Sequence, residues 1–261
     1  MQIPLISIIT INFNNLEGLK KTMQSVFEQT YKNFEYIVID GGSTDGSAAY
    51  IENHKDTIDY WVSETDTGIY NAMNKGIKVA KGEYLLFLNS GDHLINTNVL
   101  SDCNSFINLY ELIYFNLKII NTNDSYIRCY PDKLPFSYLV NDTLPHPATF
   151  IKATLFDKVG LYDENYLIVS DWKFFIESIC KYNVSYKRID RTLSVFYLDG
   201  ISSQLNNREI INKEKNKILN KEFSAYVDDI KLLLEINPLI TNLKKSRKIN
   251  FLIKLGLLNK F

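Results

Sequence analysis

Phe34-Glu35-Tyr36-Ile37-Val38-Ile39-Asp40-Gly41-Gly42-Ser43-Thr44 reads as a short apolar strand that ends on a carboxylate and turns on two glycines. Glycines let a backbone approach a ligand closely. A carboxylate followed by Gly41-Gly42 is therefore a candidate binding corner. The competing reading is that Ser43 or Thr44 caps the next helix and Asp40 supports the turn.

Outward from this corner, strand and helix signals alternate. Leu5 to Ile11 is an apolar, β-branched run of the kind found in buried parallel strands. Leu19, Met23, Val26 and Phe27 recur at helical spacing, which predicts a helix from about Glu17 to Gln29. Beyond the glycines a helix runs through His54, and Tyr60 to Val62 forms a third strand. Ile69 to Ala80 is a helix closed by Lys81-Gly82, and Tyr84 to Leu88 is a fourth strand leading into Asn89-Ser90-Gly91-Asp92. Such alternation predicts an α/β fold, with right-handed crossovers and a mainly parallel sheet covered by helices on both faces. Ligands bind beyond the carboxyl ends of the strands in such sheets. Three polar clusters fall there: Thr10 to Asn14, Asp40 to Ser43 and Asn89 to Asp92.

After about Val99 the pattern is mixed. Leu112 to Ile120 and Tyr126 to Tyr130 read as an antiparallel pair joined by the turn Asn121-Thr122-Asn123-Asp124. Pro131, Pro135, Pro145 and Pro147 punctuate a loop-rich stretch. Helices are expected over Ala153 to Val159 and Asp171 to Lys181, and strands over Ser185 to Ile189 and Leu193 to Tyr197. From Arg208 onward the chain reads as helical and rich in lysine. The expected organisation is an α/β half over residues 1–100, a mixed half over 101–204, and a helical extension over 205–261.

Whole-chain properties narrow the class. The 261 residues suffice for a substantial core, and 46% hydrophobic with 23% charged residues is ordinary for a soluble globular protein. A formal net charge of −1 gives nucleic acid no attraction as a partner. Cys103, Cys129 and Cys180 lack metal-ligand spacing and read as reduced thiols. The N-terminus lacks the marks of a signal peptide, and no apolar run approaches the roughly 20 residues that span a bilayer. A cytoplasmic location, at most at the inner membrane face, is expected. There is no G-x-x-x-x-G-K-[ST] loop and no G-x-G-x-x-G after the first strand.

Asn89-Ser90-Gly91-Asp92 places a carboxylate at the sheet edge, where Mg2+ or Mn2+ bound to one protein carboxylate is completed by diphosphate oxygens. A plain tight turn is the other reading, since all four residue types favour turns.

Five ordered blocks then carry a resemblance. Ser7-Ile8-Ile9-Thr10-Ile11-Asn12-Phe13-Asn14, Ser25-Val26-Phe27-Glu28-Gln29-Thr30-Tyr31 and Tyr36 to Ser47 open it. Thr65-Asp66-Thr67-Gly68-Ile69-Tyr70-Asn71-Ala72-Met73-Asn74-Lys75-Gly76 and Lys81 to Asp92 continue it in the same order. The chain resembles family 2 glycosyltransferases. The resemblance implies a GT-A fold, with a nucleotide-sugar-binding half over 1–100 and an acceptor-binding and catalytic half over 101–204, a nucleotide-diphosphate sugar donor, a divalent metal (Mn2+ or Mg2+) and inversion at the anomeric carbon. It puts Thr10 and Asn12 beside the nucleotide, Asp40 and Gly41 at the base or ribose, and Asp66 and Asn74 along the donor site. Asn89, Ser90 and Gly91 would border the donor, with Asp92 as metal ligand. Asp40-Gly41 replaces the usual paired aspartates, and Asn-Ser-Gly-Asp replaces the commoner Asp-Ser-Asp-Asp.

The resemblance returns at His146-Pro147-Ala148-Thr149-Phe150, Phe156 to Glu164 and Ser170-Asp171-Trp172-Lys173-Phe174-Phe175. It implies that Asp171 is the general base. Without it, an acid in the first turn of a helix serves the helix dipole. His146 is a candidate contact to diphosphate or metal, against the plainer reading of a loop histidine. Trp61 and Trp172 read as core or pocket-wall aromatics. The expected donor is a UDP-sugar, and the expected acceptor a glycan or lipid-linked molecule in cell-surface polysaccharide assembly. A nucleotide-sugar-binding protein without turnover is the alternative. Finally, Lys244 to Phe261 combines six basic residues with apolar ones and reads as a basic amphipathic helix. It suits an anionic membrane surface, its own domain, or a second subunit.

Overall fold

The computed structural model describes residues 5–107, 109–121, 124–198 and 207–259. The tip of the expected turn at Thr122-Asn123, the expected boundary at 204/205 and the terminal Lys260 lie outside them. Two compact units are distinguished, residues 1–214 and 215–261.

In the first unit, strands β1 (Ile6–Asn12), β2 (Phe34–Asp40), β3 (Tyr60–Ser63) and β4 (Tyr84–Phe87) pair in parallel, in the order β3-β2-β1-β4. Every residue of β1 and β4 is buried, as continuous apolar runs require. Two helices cross between them. In α1 (Leu16–Phe27), capped by the Asn15 side chain on the Gly18 amide, Leu19, Met23 and Val26 form the buried stripe. α3 (Ile69–Val79) buries Tyr70, Ala72, Met73, Asn74 and Gly76 and packs on β1 and β2. A Cβ at Gly76 would lie 2.6 Å from the Ile9 side chain, so glycine sets how closely α3 meets the sheet. Between these two helices, α2 (Ser47–Glu52) is a shorter helix than the sequence suggests, followed by a separate 3-10 turn over Lys55–Thr57.

The sheet continues in mixed sense. β8 (Thr149–Lys152) pairs antiparallel with both β4 and β6 (Leu112–Ile120), and β6 pairs parallel with β9 (Tyr186–Tyr197). The short β5 (His93–Leu94) closes the far edge on β9, and β7 (Ser125–Arg128) forms the expected antiparallel hairpin with β6. The two strands expected within 185–197 are one continuous strand. A register irregularity between Phe115 and Leu117 of β6 lets the ladder run past the polar Asp190-Arg191 step. The remaining helices of this part are α4 (Val99–Cys103), α5 (Phe136–Asn141), α6 (Thr154–Val159) and α7 (Ser170–Cys180). The fold is a mixed α/β sheet with helices packed on it, followed by a helical C-terminal part.

That part comprises α8 (Arg208–Glu222), α9 (Val227–Lys245) and α10 (Arg247–Lys254), the last begun by the Ser246 side chain accepting from the Ile249 amide. Ser246 thus divides the expected single basic helix. Among the described residues no helix is long and apolar enough to cross a membrane.

Candidate active site

The parallel strands deliver their carboxyl-terminal residues to one edge, and a line of hydrogen bonds joins them. Ser63 at the end of β3 donates to Asp40 Oδ2 at 2.6 Å. Asn12 at the end of β1 donates through Nδ2 to Asp40 Oδ1 at 2.6 Å, and Ser90 after β4 donates to Asn12 Oδ1 at 2.7 Å. The Ser43 amide and hydroxyl complete the set on Asp40, at 2.9 and 2.6 Å. Burial alone would push the Asp40 carboxyl up, but these bonds from Ser43, Ser63 and Asn12 outweigh it and hold the carboxyl below its usual range. Asp40 is fully buried and organises the corner from within. Helix α2 starts at Gly46 without a side-chain cap, so neither Ser43 nor Thr44 caps it.

Gly41 follows Asp40 and is itself buried in this corner. A Cβ there would lie 2.5 Å from Asp66 Oδ2 and 3.2 Å from the Phe13 ring. The Asp66 carboxylate, whose Oδ1 accepts from the Gly68 amide at 3.0 Å, therefore lies across the position where a residue 41 side chain would begin. Phe13 is 65% exposed beside it. Thr10, in contrast, faces inward, with its hydroxyl 2.9 Å from the Tyr36 hydroxyl.

The Asn89-Ser90-Gly91-Asp92 turn is anchored by α1. Thr22 Oγ1 donates to the Asp92 carbonyl at 2.6 Å and accepts from the Gly91 amide at 3.0 Å, while Asn15 Nδ2 donates to the Ser90 carbonyl. Gly91 has φ 108°, a left-handed value that a residue with a Cβ resists. Asp92 is largely buried, at 6% exposure. Asn89 Oδ1 is buried without a hydrogen-bond partner, an oxygen left for a group that the protein itself does not supply.

Asn89 also leads to the second cluster. Its Nδ2 lies 3.3 Å from His146 Nε2, and His146 Nδ1 lies 3.5 Å from Asp171 Oδ2. Asp171 opens α7, and its Oδ1 meets the Tyr70 hydroxyl of α3 at 2.9 Å. Burial works against charge on both His146 and Asp171. The contact and attraction between them outweigh it, raising the imidazole and lowering the carboxyl, with Asp92 adding to the first and Tyr70 and the Trp172 amide to the second. Their side chains keep 19% and 16% of their exposure, so solvent reaches the pair. An ionised, partly open carboxylate at a helix N-terminus can accept a proton from a hydroxyl.

The sequence-expected residues thus divide. Asn12, Asp40 and Ser90 form one chain; Gly41 and Asp66 share a corner; Asn89, His146 and Asp171 form another chain; Gly91 shapes the turn that presents Asp92. Asn74 engages its amide elsewhere: Nδ2 donates to the Tyr162 carbonyl and Glu164 Oε1, both at 2.8 Å, and Oδ1 accepts from the Tyr162 amide at 3.0 Å. Trp172 is core, with Nε1 donating to the Leu139 carbonyl. Tyr70 and Ser63 were not singled out by sequence reasoning. Tyr70 stands four residues before Asn74, and that i, i+4 pairing of polar atoms on an otherwise apolar helix face was the available signal.

Comparison with known proteins gives the family and the fold. An uncharacterized glycosyltransferase of Mycobacterium tuberculosis is 36% identical over 180 residues, covering 67% of this chain and 69% of its own. A PGL/p-HBAD biosynthesis glycosyltransferase of the same organism is 31% identical over 183 residues, covering 67% and 70%. Among solved structures, Staphylococcus aureus TarS (residues 1–349) in complex with UDP-GlcNAc matches with a TM-score of 0.61 at 17% identity, covering 85% of this chain and 72% of that one. Mannosyltransferase PcManGT of Pyrobaculum calidifontis, in complex with GDP-Man and Mn2+, matches with a TM-score of 0.58 at 13% identity, covering 97% and 79%. These two share the GT-A fold. Residues 7–151, from the second residue of β1 into β8, match the description Glycosyl transferase family 2, so the strand-end chain from Ser63 to Asn89 lies within the matched span and the chain belongs to that family.

Proposed function

We propose that this glycosyltransferase is an inverting enzyme that moves a sugar from a nucleotide diphosphate to a hydroxyl of a glycan or lipid-linked acceptor in cell-surface polysaccharide assembly. The observation that carries the reading is the chain of polar side chains across the ends of β3, β2, β1 and β4, together with its continuation through Asn89 and His146 to Asp171. A donor end and a proton-accepting end on one sheet edge are what a single displacement needs.

Gly41 lets the Asp66 carboxylate and the exposed Phe13 ring close in over its backbone, and those two side chains form a corner suited to the base and ribose. UDP is the favoured nucleotide, in line with the UDP-GlcNAc bound by TarS. Asp92 and Asn89 Oδ1 are hard oxygen donors that fit Mn2+ or Mg2+ bridged to a diphosphate. Among the described residues no cluster of three acidic, histidine or cysteine side chains forms a cage, so the fit requires phosphate oxygens as co-ligands. Such a cation, when bound, neutralises charge on the departing diphosphate. The protein's own part is to orient the donor and to place Asp171 where the acceptor hydroxyl loses its proton. Asn74 acts by fixing the 162–164 segment.

The C-terminal unit supports a peripheral membrane contact. Lys244, Lys245, Arg247, Lys248 and Lys254 lie among the exposed Leu243, Phe251, Leu252, Leu255 and Leu257.

Titration calorimetry with UDP, GDP and TDP, each with and without Mn2+, tests the donor reading. Metal-dependent binding of one nucleotide is expected, and D92A should abolish the metal dependence. Folded protein that binds none of them would overturn it. Binding without transfer to any acceptor would favour a nucleotide-sugar-binding protein without turnover.

A further inference from the structure

Tyr70 is the point where the donor-side helix meets the base. It is 5% exposed, and its hydroxyl lies 2.5 Å from the Ile168 carbonyl oxygen and 2.9 Å from Asp171 Oδ1. A phenol carries one proton, whereas a carbonyl and an ionised carboxylate only accept. While Asp171 is ionised, two acceptors therefore face one donor. When Asp171 carries a proton on Oδ1, the acid can donate to the phenol oxygen, and the phenol proton passes wholly to Ile168. A hydroxyl held in this way matches both states without moving.

We propose that Tyr70 is the positioning residue that holds Asp171 in one geometry both before and after proton transfer. The inference rests on reading Asp171 as the general base. In that step the acceptor O–H bond breaks with its proton passing to Asp171, the acceptor oxygen bonds to the anomeric carbon, and the bond to the diphosphate breaks with its electron pair. A base held by a preorganised partner does not reorganise as its charge disappears.

The surrounding contacts support a positioning role. Residues 162–168 form a strap leading into α7 that is pinned at several points. Asn71 and Asn74 of α3 hold Glu164, at 2.9 and 2.8 Å. The Glu214 carboxylate accepts from the Leu167 and Ile168 amides, at 2.7 and 3.1 Å. Tyr70 takes the Ile168 carbonyl, so the peptide groups on both sides of that residue are fixed. Burial, with the charge of Asp171 added, pushes the phenol far above its ordinary value, so it keeps its proton. The other groups bearing on Asp171 are His146 on Oδ2, the Trp172 amide at the start of α7, and the buried phenol of Tyr162; Asp92 acts on His146.

The test is carbon NMR titration of protein labelled at the aspartate carboxyl carbons, with the Asp171 signal identified by its loss in D171N. Y70F removes a hydrogen bond that is stronger to the ionised form, so the Asp171 midpoint should rise by about one unit. A 3,5-difluorotyrosine placed at position 70 is a stronger donor, and the midpoint should fall; this arm stands even if Y70F does not fold. UDP affinity should be unchanged in both, which a general loosening of the fold would not allow. A midpoint unmoved by either change would overturn the proposal. Retained transfer in D171N would instead remove the base reading, with the Tyr70–Asp171 coupling still measured.

Discussion

Asp40 illustrates how one residue can organise a candidate site from within. Its two oxygens accept from Ser43, Ser63 and Asn12, and no part of it is exposed. Replacing it by asparagine turns an amide NH2 toward groups that also donate. Hydrogen bonds to a charged group are worth about 1.5–3 kcal/mol each and are not additive within one network. D40N should therefore lose about 2–3 kcal/mol at pH 7, read from denaturant unfolding. The pH dependence follows from the depressed carboxyl: its contribution is complete above the unfolded value of 3.8 and is lost as pH falls through the folded value. The gap between wild type and D40N should narrow below pH 3.8, and a constant gap would count against the network as its source. Asp171 differs because it is partly open and paired with His146. D171N should keep nucleotide affinity and lose transfer by about 10²–10⁴-fold, the usual worth of a general base; comparable rates in a transfer assay would reject the role.

At the scale of elements, α3 links both ends of the site. Asp66 and Gly68 precede it, Tyr70 reaches the base, and Gly76 brings it onto the sheet at Ile9. In G76A the added methyl gains about 1 kcal/mol of helix propensity. It also meets a β-branched side chain in a fully buried strand, where overpacking costs about 1–3 kcal/mol. A net loss of up to about 2 kcal/mol is expected from the denaturant midpoint, and a stabilised variant would show that Ile9 yields. Such elements were legible because period and punctuation agree: apolar spacing marks α1 and α3, and short runs rich in apolar residues, β-branched in β1 and β2, mark β1, β2 and β4. β8 was not, since four residues pair with partners some 35 to 68 positions earlier and local pattern carries no such information. β9 read as two strands because Asp190-Arg191 interrupts it; the ladder continues there through an irregularity in β6, with Asn116 donating to Asp190. In the site, the strand-end residues were legible from their position alone. Their division into ligand-facing and inward-facing groups was not, because Asp40 and Asn74 owe their orientation to Ser63, Tyr162 and Glu164, which are distant in sequence.

For the molecule as a whole, a net charge of −1 conceals an uneven distribution. Between Leu239 and Asn259 the chain carries Lys244, Lys245, Arg247, Lys248 and Lys254 and no acidic residue. The same stretch exposes Leu239, Leu243, Phe251, Leu255, Leu257 and Leu258. Exposed apolar side chains interleaved with cations suit the interface of an anionic bilayer, where each basic residue contributes about 1 kcal/mol and insertion of apolar groups adds to it. A surface meant for a second copy would not need a single sign of charge, since two like-charged faces repel. The two origins separate by salt and lipid dependence. Sedimentation with vesicles containing phosphatidylglycerol should carry down the intact chain, less so as salt rises and scarcely at all with neutral vesicles. A variant ending at Leu243 should remain in solution while keeping its affinity for UDP. Equal sedimentation of the shortened and intact chains would place any membrane affinity elsewhere. A mass that doubles with concentration in the absence of vesicles, and only in the intact chain, would assign the same surface to self-association.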